Sequence, residues 1–292
     1  MKQNRINYLD LAAPYKKDKR KYLKIFDQHI TKSNLRPDNF DNLNSSLKIF
    51  LNHEDFNLES GIQSYEDLQI GNKSDRYQFV FPYYNFDKLV TQDYFNGNIL
   101  FNSSGSNNLI NTNNLETNII NNFNYNSLDF FSNSGLKANY GVSLKNLNSI
   151  GKETTKYKNS PQIELAGLFN ANLTLPMSKK GEGYNNLLTP KLSFRFNPSD
   201  MKNYSTSDNK IDVNNVFAMN RLGLSDTLEA GRSMTLGLDF KKENKNDLKE
   251  INNYFELKLA TVLREKEQKY IPTKSSIYRK NSNLFGSITN KF

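Results

Sequence analysis

Long runs in which apolar and polar residues alternate one for one constrain this chain more than any other feature. Met234, Leu236, Leu238 and Phe240 alternate with Ser233, Thr235, Gly237 and Asp239. Leu136, Ala138, Tyr140, Val142 and Leu144 oppose Lys137, Asn139, Gly141, Ser143 and Lys145 in the same way. Leu192, Phe194 and Phe196 alternate with Lys191, Ser193 and Arg195. A period of two belongs to extended backbone, because successive side chains of a strand point to opposite faces. A helix would need a period of 3.6. Leu47, Ile49 and Leu51, the polar break His53–Glu54–Asp55, and then Phe56, Leu58 and Ile62 read as a hairpin of the same kind. The chain is therefore all-β, an antiparallel sheet with one apolar and one polar face.

The partner of the apolar face decides the class. Ile163, Leu165, Phe169, Ala171, Leu173 and Leu175 mark a strand running to Pro176, well beyond the roughly 5–6 residues usual in soluble sandwiches. Membrane strands need about 9–11 residues, and their loops are polar and unequal. Asn/Ser-rich SSGSNN (103–108) reads as such a loop, and SKKGEGYNN (178–186) as a turn. The expectation is a partial, incompletely closed transmembrane β-barrel segment of about 12–14 strands. Its lipid-facing residues would include Leu136, Tyr140, Leu192, Phe194, Leu236 and Leu238. The segment DKRKYLKIFDQHI (18–30) reads as a first strand. Leu248–Leu263 reads as a strand rather than an amphipathic helix, since Phe255, Leu257 and Leu259 alternate with Glu256 and Lys258. Pro82, amid the aromatics RYQFVFPYYNF (76–86), implies an edge, a bulge or a strand end. Those aromatics suit either a membrane interface or an ordinary core.

Composition removes whole classes of chemistry. With no cysteine, disulfides, thiolate metal sites and cysteine nucleophiles are excluded. His29 and His53 lack partners at metal-ligand spacing. No run of about 18 apolar residues exists to form a transmembrane helix, and the N-terminus lacks the apolar core of a secretory signal. The net charge of +9 reads first as lysines scattered over solvated loops, and otherwise as a surface for nucleic acid, anionic lipid or glycolipid phosphates. The basic residues do not form the aromatic-interleaved stripe of a nucleic-acid binder. No nucleophile elbow, phosphate loop or calcium loop is present, and Asp208–Asp212 lacks the glycine and terminal glutamate of an EF-hand. Glu54–Asp55 and Glu66–Asp67 fall in expected turns. No catalytic residue, metal or cofactor is expected.

The stretch NRLGLSDTLEAGRSMTLGLDF (220–240) resembles the Asn-Arg…Gly…Asp-x-x-Glu-x-Gly signature of the lipopolysaccharide-assembly outer-membrane protein family, LptD. Fainter likenesses run in order along the chain: YLKIFDQ, SLKIFLNHEDFNLESGIQSYEDL, RYQFVFPYYNF, LTPKLSFRF and IPTKSSIYRKNSNLFG. Asn220, Arg221, Gly223, Asp226, Glu229 and Gly231 fall on the motif. Arg232 follows Gly231 directly, where the family often has an intervening residue. The resemblance implies receipt of lipopolysaccharide from an LptA-type periplasmic bridge and its release into the outer leaflet of a Gram-negative outer membrane. It also implies an LptE-type lipoprotein plug. Family barrels have about 26 strands, at the large end of known barrels. The resemblance therefore makes this chain a central slice, without signal peptide, periplasmic jelly-roll or C-terminal strands. Rival readings are another outer-membrane barrel, porin or receptor, and a soluble periplasmic glycan-binding β-protein. Physically, the motif reads as a folded-in loop in which Arg221 pairs with Asp226 or Glu229.

Overall fold

The computed structural model describes residues 5–12, 42–67, 77–91, 96–111, 113–245 and 251–291. Among these residues, fourteen strands form a single antiparallel sheet. They are β1 (Arg5–Ala12), β2 (Asn42–Asn52), β3 (Phe56–Asp67), β4 (Tyr77–Thr91), β5 (Gly97–Ile110), β6 (Asn114–Ser127) and β7 (Phe130–Phe131). Then come β8 (Lys137–Lys152), β9 (Gln162–Thr174), β10 (Met177–Gly181), β11 (Tyr184–Asn197), β12 (Gly231–Lys245), β13 (Ile251–Arg264) and β14 (Phe285–Lys291). The order is β1-β2-β3-β4-β5-β6-β8-β9-β11-β12-β13-β14, with β7 on β8 and β10 on β11. Among the described residues, no pairing of β14 with β1 appears in this order. The expected first strand at 18–30, with His29, lies outside the described residues; the first described strand is β1.

Chain contacts divide the protein into two compact units, one of Met1–Val90, Phe101–Asn122 and Asn146–Glu164, the other of Thr91–Leu100, Phe123–Lys145 and Leu165–Phe292. In the first, β2 and β3 form the expected hairpin, with Leu47 opposite Ile62 and Leu51 opposite Leu58. Glu66 and Asp67 end β3 instead of lying in a turn. Pro82 sits at a bulge: Gly61 pairs with Tyr83 but Gln63 with Val80, so Ile62 faces two residues of β4.

SSGSNN is not a loop but the middle of β5. Three of its polar side chains bond to β6. Ser103 donates to Asn121 Oδ1 at 2.7 Å, Thr117 donates to Asn107 Oδ1 at 2.6 Å, and Asn118 donates to Ser106 Oγ at 3.2 Å. Side-chain ladders of this kind let a low-propensity segment hold extended backbone. The turn SKKGEGYNN likewise shrinks to Glu182 and Gly183 between β10 and β11. Gly183 has φ 74°, which glycine adopts without strain.

In the second unit, register places unlike faces back to back. Leu192 lies opposite Leu236, Phe194 opposite Met234, and Leu238 opposite Leu259. On the other face Ser193 meets Thr235, Arg195 meets Ser233, and Ser233 meets Arg264. The apolar face carries exposed Phe194, Met234, Leu236, Leu238 and Ile288, whereas Ser193 and Thr235 have no exposed surface. This polarity is the reverse of a soluble sheet packed on its own core.

The long connections explain the reversal. Residues 198–230, between β11 and β12, and 265–284, between β13 and β14, fold together into a small apolar core. Val216, Leu222, Leu224, Ile271 and Ile277 pack there against Ala260 and Val262 of β13. Apolar residues of the insert thus bury one another and cover the polar sheet face.

Candidate functional site: the clasped insert

The motif occupies the last third of the 198–230 insert and is tied to the sheet by polar contacts as well as by the apolar packing of Leu222, Leu224 and Ala230. Asn220 closes a tight loop: its amide donates to the Leu224 carbonyl and its carbonyl accepts from the Leu224 N–H, both at 3.0 Å. Gly223 within that loop has φ 64°, a left-handed conformation that burdens a side chain. Asn209 reaches across to the Leu222 carbonyl at 2.7 Å.

At the centre is Glu229, with 5% of its side chain exposed. Arg221 binds it two-pronged, Nε to Oε2 at 2.7 Å and Nη2 to Oε1 at 2.5 Å. This fork geometry is the strongest arrangement open to a guanidinium and a carboxylate. Arg264, from the end of β13, donates to Oε1 at 2.5 Å. Arg195, from β11, stands 3.9 Å away. The three guanidiniums are spoken for elsewhere too. Arg221 also donates to Thr235 Oγ1 and Ser233 Oγ, each at 3.0 Å. Arg195 donates to the carbonyls of Ala218, at 2.8 Å, and Met219, at 2.5 Å. Arg264 donates to the Ala230 carbonyl. Asn197 donates to the Glu229 carbonyl at 3.1 Å.

The electrostatics follow from this geometry. Burial on its own would raise the Glu229 carboxyl, but Arg221, then Arg195 and Arg264, hold it well below the usual carboxylate range. A carboxylate held in this way keeps its charge and has no proton to give near neutral pH. The cluster holds the insert against β11, β12 and β13.

Asp226 does not take part. It accepts from the Tyr204 hydroxyl and pairs with Lys202 at 3.4 Å. Of the two partners open to Arg221, the structure selects Glu229. A further clamp comes from β8, where buried Lys145 donates to the Ser225 carbonyl. Gly231, at φ 86°, turns the insert into β12. Arg232 beyond it is exposed, stacks on Phe196 at 4.9 Å and pairs with Glu265 at 3.5 Å.

No known protein-family model matches this sequence, and no curated protein is significantly similar to it.

The motif residues therefore stand on their geometry. Asn220, Arg221, Gly223, Glu229 and Gly231 form one clasp, and Asp226 a neighbouring tie. Sequence reasoning missed Arg195, Arg264 and Lys145. A signal existed for Arg195 and Lys145: each is a cation on the polar side of an alternating strand, where serine or asparagine would satisfy the pattern. Of the residues expected to face lipid, Tyr140, Phe194, Leu236 and Leu238 are exposed and Leu192 is half-exposed on the same face as Leu236. Leu136 lies just before β8, in a turn closed by Ser132 N–H to the Leu136 carbonyl at 2.9 Å. Tyr140 joins an aromatic cluster with Tyr125, Phe130 and Phe169. Among the described residues no group of acidic or histidine side chains could hold a metal ion, and no helix is long and apolar enough to cross a membrane.

Proposed function

We propose that this chain is part of an outer-membrane β-barrel of the LptD type, acting in delivery of lipopolysaccharide to the outer leaflet of a Gram-negative outer membrane. One observation carries the reading: β11–β13 bury a polar face beneath the motif-bearing insert and turn an apolar face outward. Lipid is the natural solvent for that outward face, since strands crossing a bilayer alternate apolar-out and polar-in. The lipopolysaccharide assignment rests on the motif, whose residues converge on one buried clasp. In this reading the polar face is a lumen wall, the partners are lipopolysaccharide, outer-membrane lipid, an LptE-type plug and an LptA-type bridge, and no catalysis is involved. A soluble glycan-binding protein would have to cover Phe194, Leu236 and Leu238 with a second layer. A general porin would keep the β11–β13 inner face open to water, and here the insert fills it.

Depletion of the protein in its own cells is the test. Newly made lipopolysaccharide should stop reaching the cell surface and accumulate inside the outer membrane. Undiminished surface delivery after depletion would rule the assignment out.

A further inference from the structure

The clasp carries more positive charge than its carboxylate balances. Arg195, Arg221 and Arg264 surround Glu229, the one carboxylate paired with them among the described residues, so two positive charges are left over in a buried cluster. The hydroxyls of Ser233 and Thr235 and the carbonyls of Ala218 and Ala230 solvate the guanidiniums but cancel no charge. Arg264 Nε, moreover, is buried without a hydrogen-bond partner. Buried charge left uncompensated is costly, and a counter-ion is the simplest way to complete such a cluster.

The chain builds a place for one. A cavity of about 350 Å³ opens beside the clasp, where β11 leaves the sheet, the insert enters β12 and β13 runs into 265–284. Asn197 and Ala230 line it, and both are bonded to the clasp. Gly231 makes a cradle in its wall. A Cβ there would stand 2.8 Å from Gln268 Nε2 and 3.4 Å from Arg264 Nη2, so two donor nitrogens converge on a point that any other side chain would fill. Arg232 and Lys266 add cations to the lining, and Asp200 and Glu265 add carboxylates, Glu265 at 3.5 Å from Arg232. Those four charges cancel, and the two from the clasp set the sign of the site.

We infer that this cavity binds a phosphate-type oxyanion, held at the Gly231 cradle by Gln268 Nε2 and the Arg264 guanidinium. Such a site is independent of whether the outer face of the sheet meets lipid or water. Guanidinium and amide N–H groups suit phosphate oxygens, and Arg264 has donors to spare beyond those on Glu229 and Ala230. The cavity is larger than a bare phosphate and leaves room for bound water or for the ester substituent of a lipid headgroup. Bound there, the anion joins the end of the insert to Gln268 on the 265–284 connection, and so fastens the two long connections to each other.

Calorimetric titration of the purified full chain with inorganic phosphate, at constant ionic strength in chloride, is the test, with dihexanoyl phosphatidic acid as a second probe. Gln268→Glu keeps the shape of the half-buried side chain but sets a like charge in the cradle, and should weaken phosphate binding by about tenfold or more. Asp200→Asn, at an exposed position on the rim, removes a repelling charge and should tighten it by about threefold. The two substitutions thus move affinity in opposite directions, which a general loss of structure cannot do. If Gln268→Glu does not fold, the Asp200→Asn comparison decides by itself. Tighter binding of the phosphatidic acid assigns the site to a headgroup, and equal or weaker binding assigns it to the free ion. Absence of binding by both probes, or phosphate affinity that Asp200→Asn or a folded Gln268→Glu leaves unchanged, would overturn the site.

Discussion

Arg264 closes β13 and Glu229 nearly closes the insert, and their side chains meet at 2.5 Å with both shut away from water. The contact joins residues 35 apart in sequence, and it is where the motif becomes part of the sheet. Arg221 supplies the local half of the same cluster. An ion pair of this kind adds little net stability over an apolar packing, because desolvation consumes most of the Coulomb gain. What it does enforce is position: any other placement of the insert strands buried charge.

Glu229→Gln tests that asymmetry. The amide removes the counter-charge of Arg221, Arg195 and Arg264 while nearly preserving shape. Breaking a buried pair in this way costs about 3–5 kcal/mol. The expected result is a lowered thermal midpoint and tryptic cleavage after Arg221, a bond protected while the insert is docked. Asp208→Ala, which removes the exposed pair with Lys274, should change neither readout.

The acid response has a defined sign. Glu229 titrates below its unfolded value, so the folded state binds fewer protons than the unfolded one, and its contribution is complete above the ordinary carboxylate value of about 4.3. It is lost as pH falls from there through the depressed folded value. The midpoint of insert unfolding should therefore hold steady between neutrality and about pH 5 and decline in stronger acid. In Glu229→Gln the share of the decline due to this carboxylate should vanish. A wild-type loss centred near neutrality would assign the response to another group.

The sheet was legible because period-two alternation is a local property, written in neighbouring residues of each strand. β8, β9, β11, β12 and the disputed β13 could all be read in that way. SSGSNN could not, because Ser103, Ser106 and Asn107 owe their extended conformation to Asn121, Asn118 and Thr117 on another strand. The clasp was half legible. Arg221 and Glu229 are eight residues apart and could be paired by inspection. Arg264 could not, because only the register that sets Ser233 opposite it brings it to Glu229. The choice of Glu229 over Asp226 depended on Tyr204 and Lys202 occupying Asp226.

The two left-handed glycines of the motif should respond differently to a side chain. At Gly231, φ is 86° and a Cβ would lie 2.8 Å from the Gln268 amide nitrogen. At Gly223, φ is 64° and the nearest atom to such a Cβ is 3.8 Å away. Alanine at either position meets the left-handed penalty of about 1–2 kcal/mol. At Gly231 displacement of Gln268 adds to it. Asparagine tolerates this conformation and should recover much of the loss at Gly223 but not at Gly231. Thermal midpoints of the four variants decide, and equal rescue at both sites would refute the crowding argument.

Leu236→Arg separates the two settings open to the apolar face. Leu236 is 41% exposed, sits in the middle of β12 opposite Leu192, and is not a member of the insert's apolar core. On a sheet facing water, an exposed arginine there is close to neutral, within about 0.5 kcal/mol as for most surface substitutions. On a sheet facing acyl chains, the same arginine costs about 2–4 kcal/mol near the bilayer midplane. Ser287→Arg, on the opposite face of the sheet in line with Lys258 and Asp239, supplies a control pointing away from any acyl chains. In lipid, the expected outcome is a large drop in the fraction of Leu236→Arg recovered as folded, heat-modifiable protein in the membrane fraction, with Ser287→Arg close to wild type. Wild-type recovery of Leu236→Arg would place that face in water and remove the ground on which the barrel assignment stands.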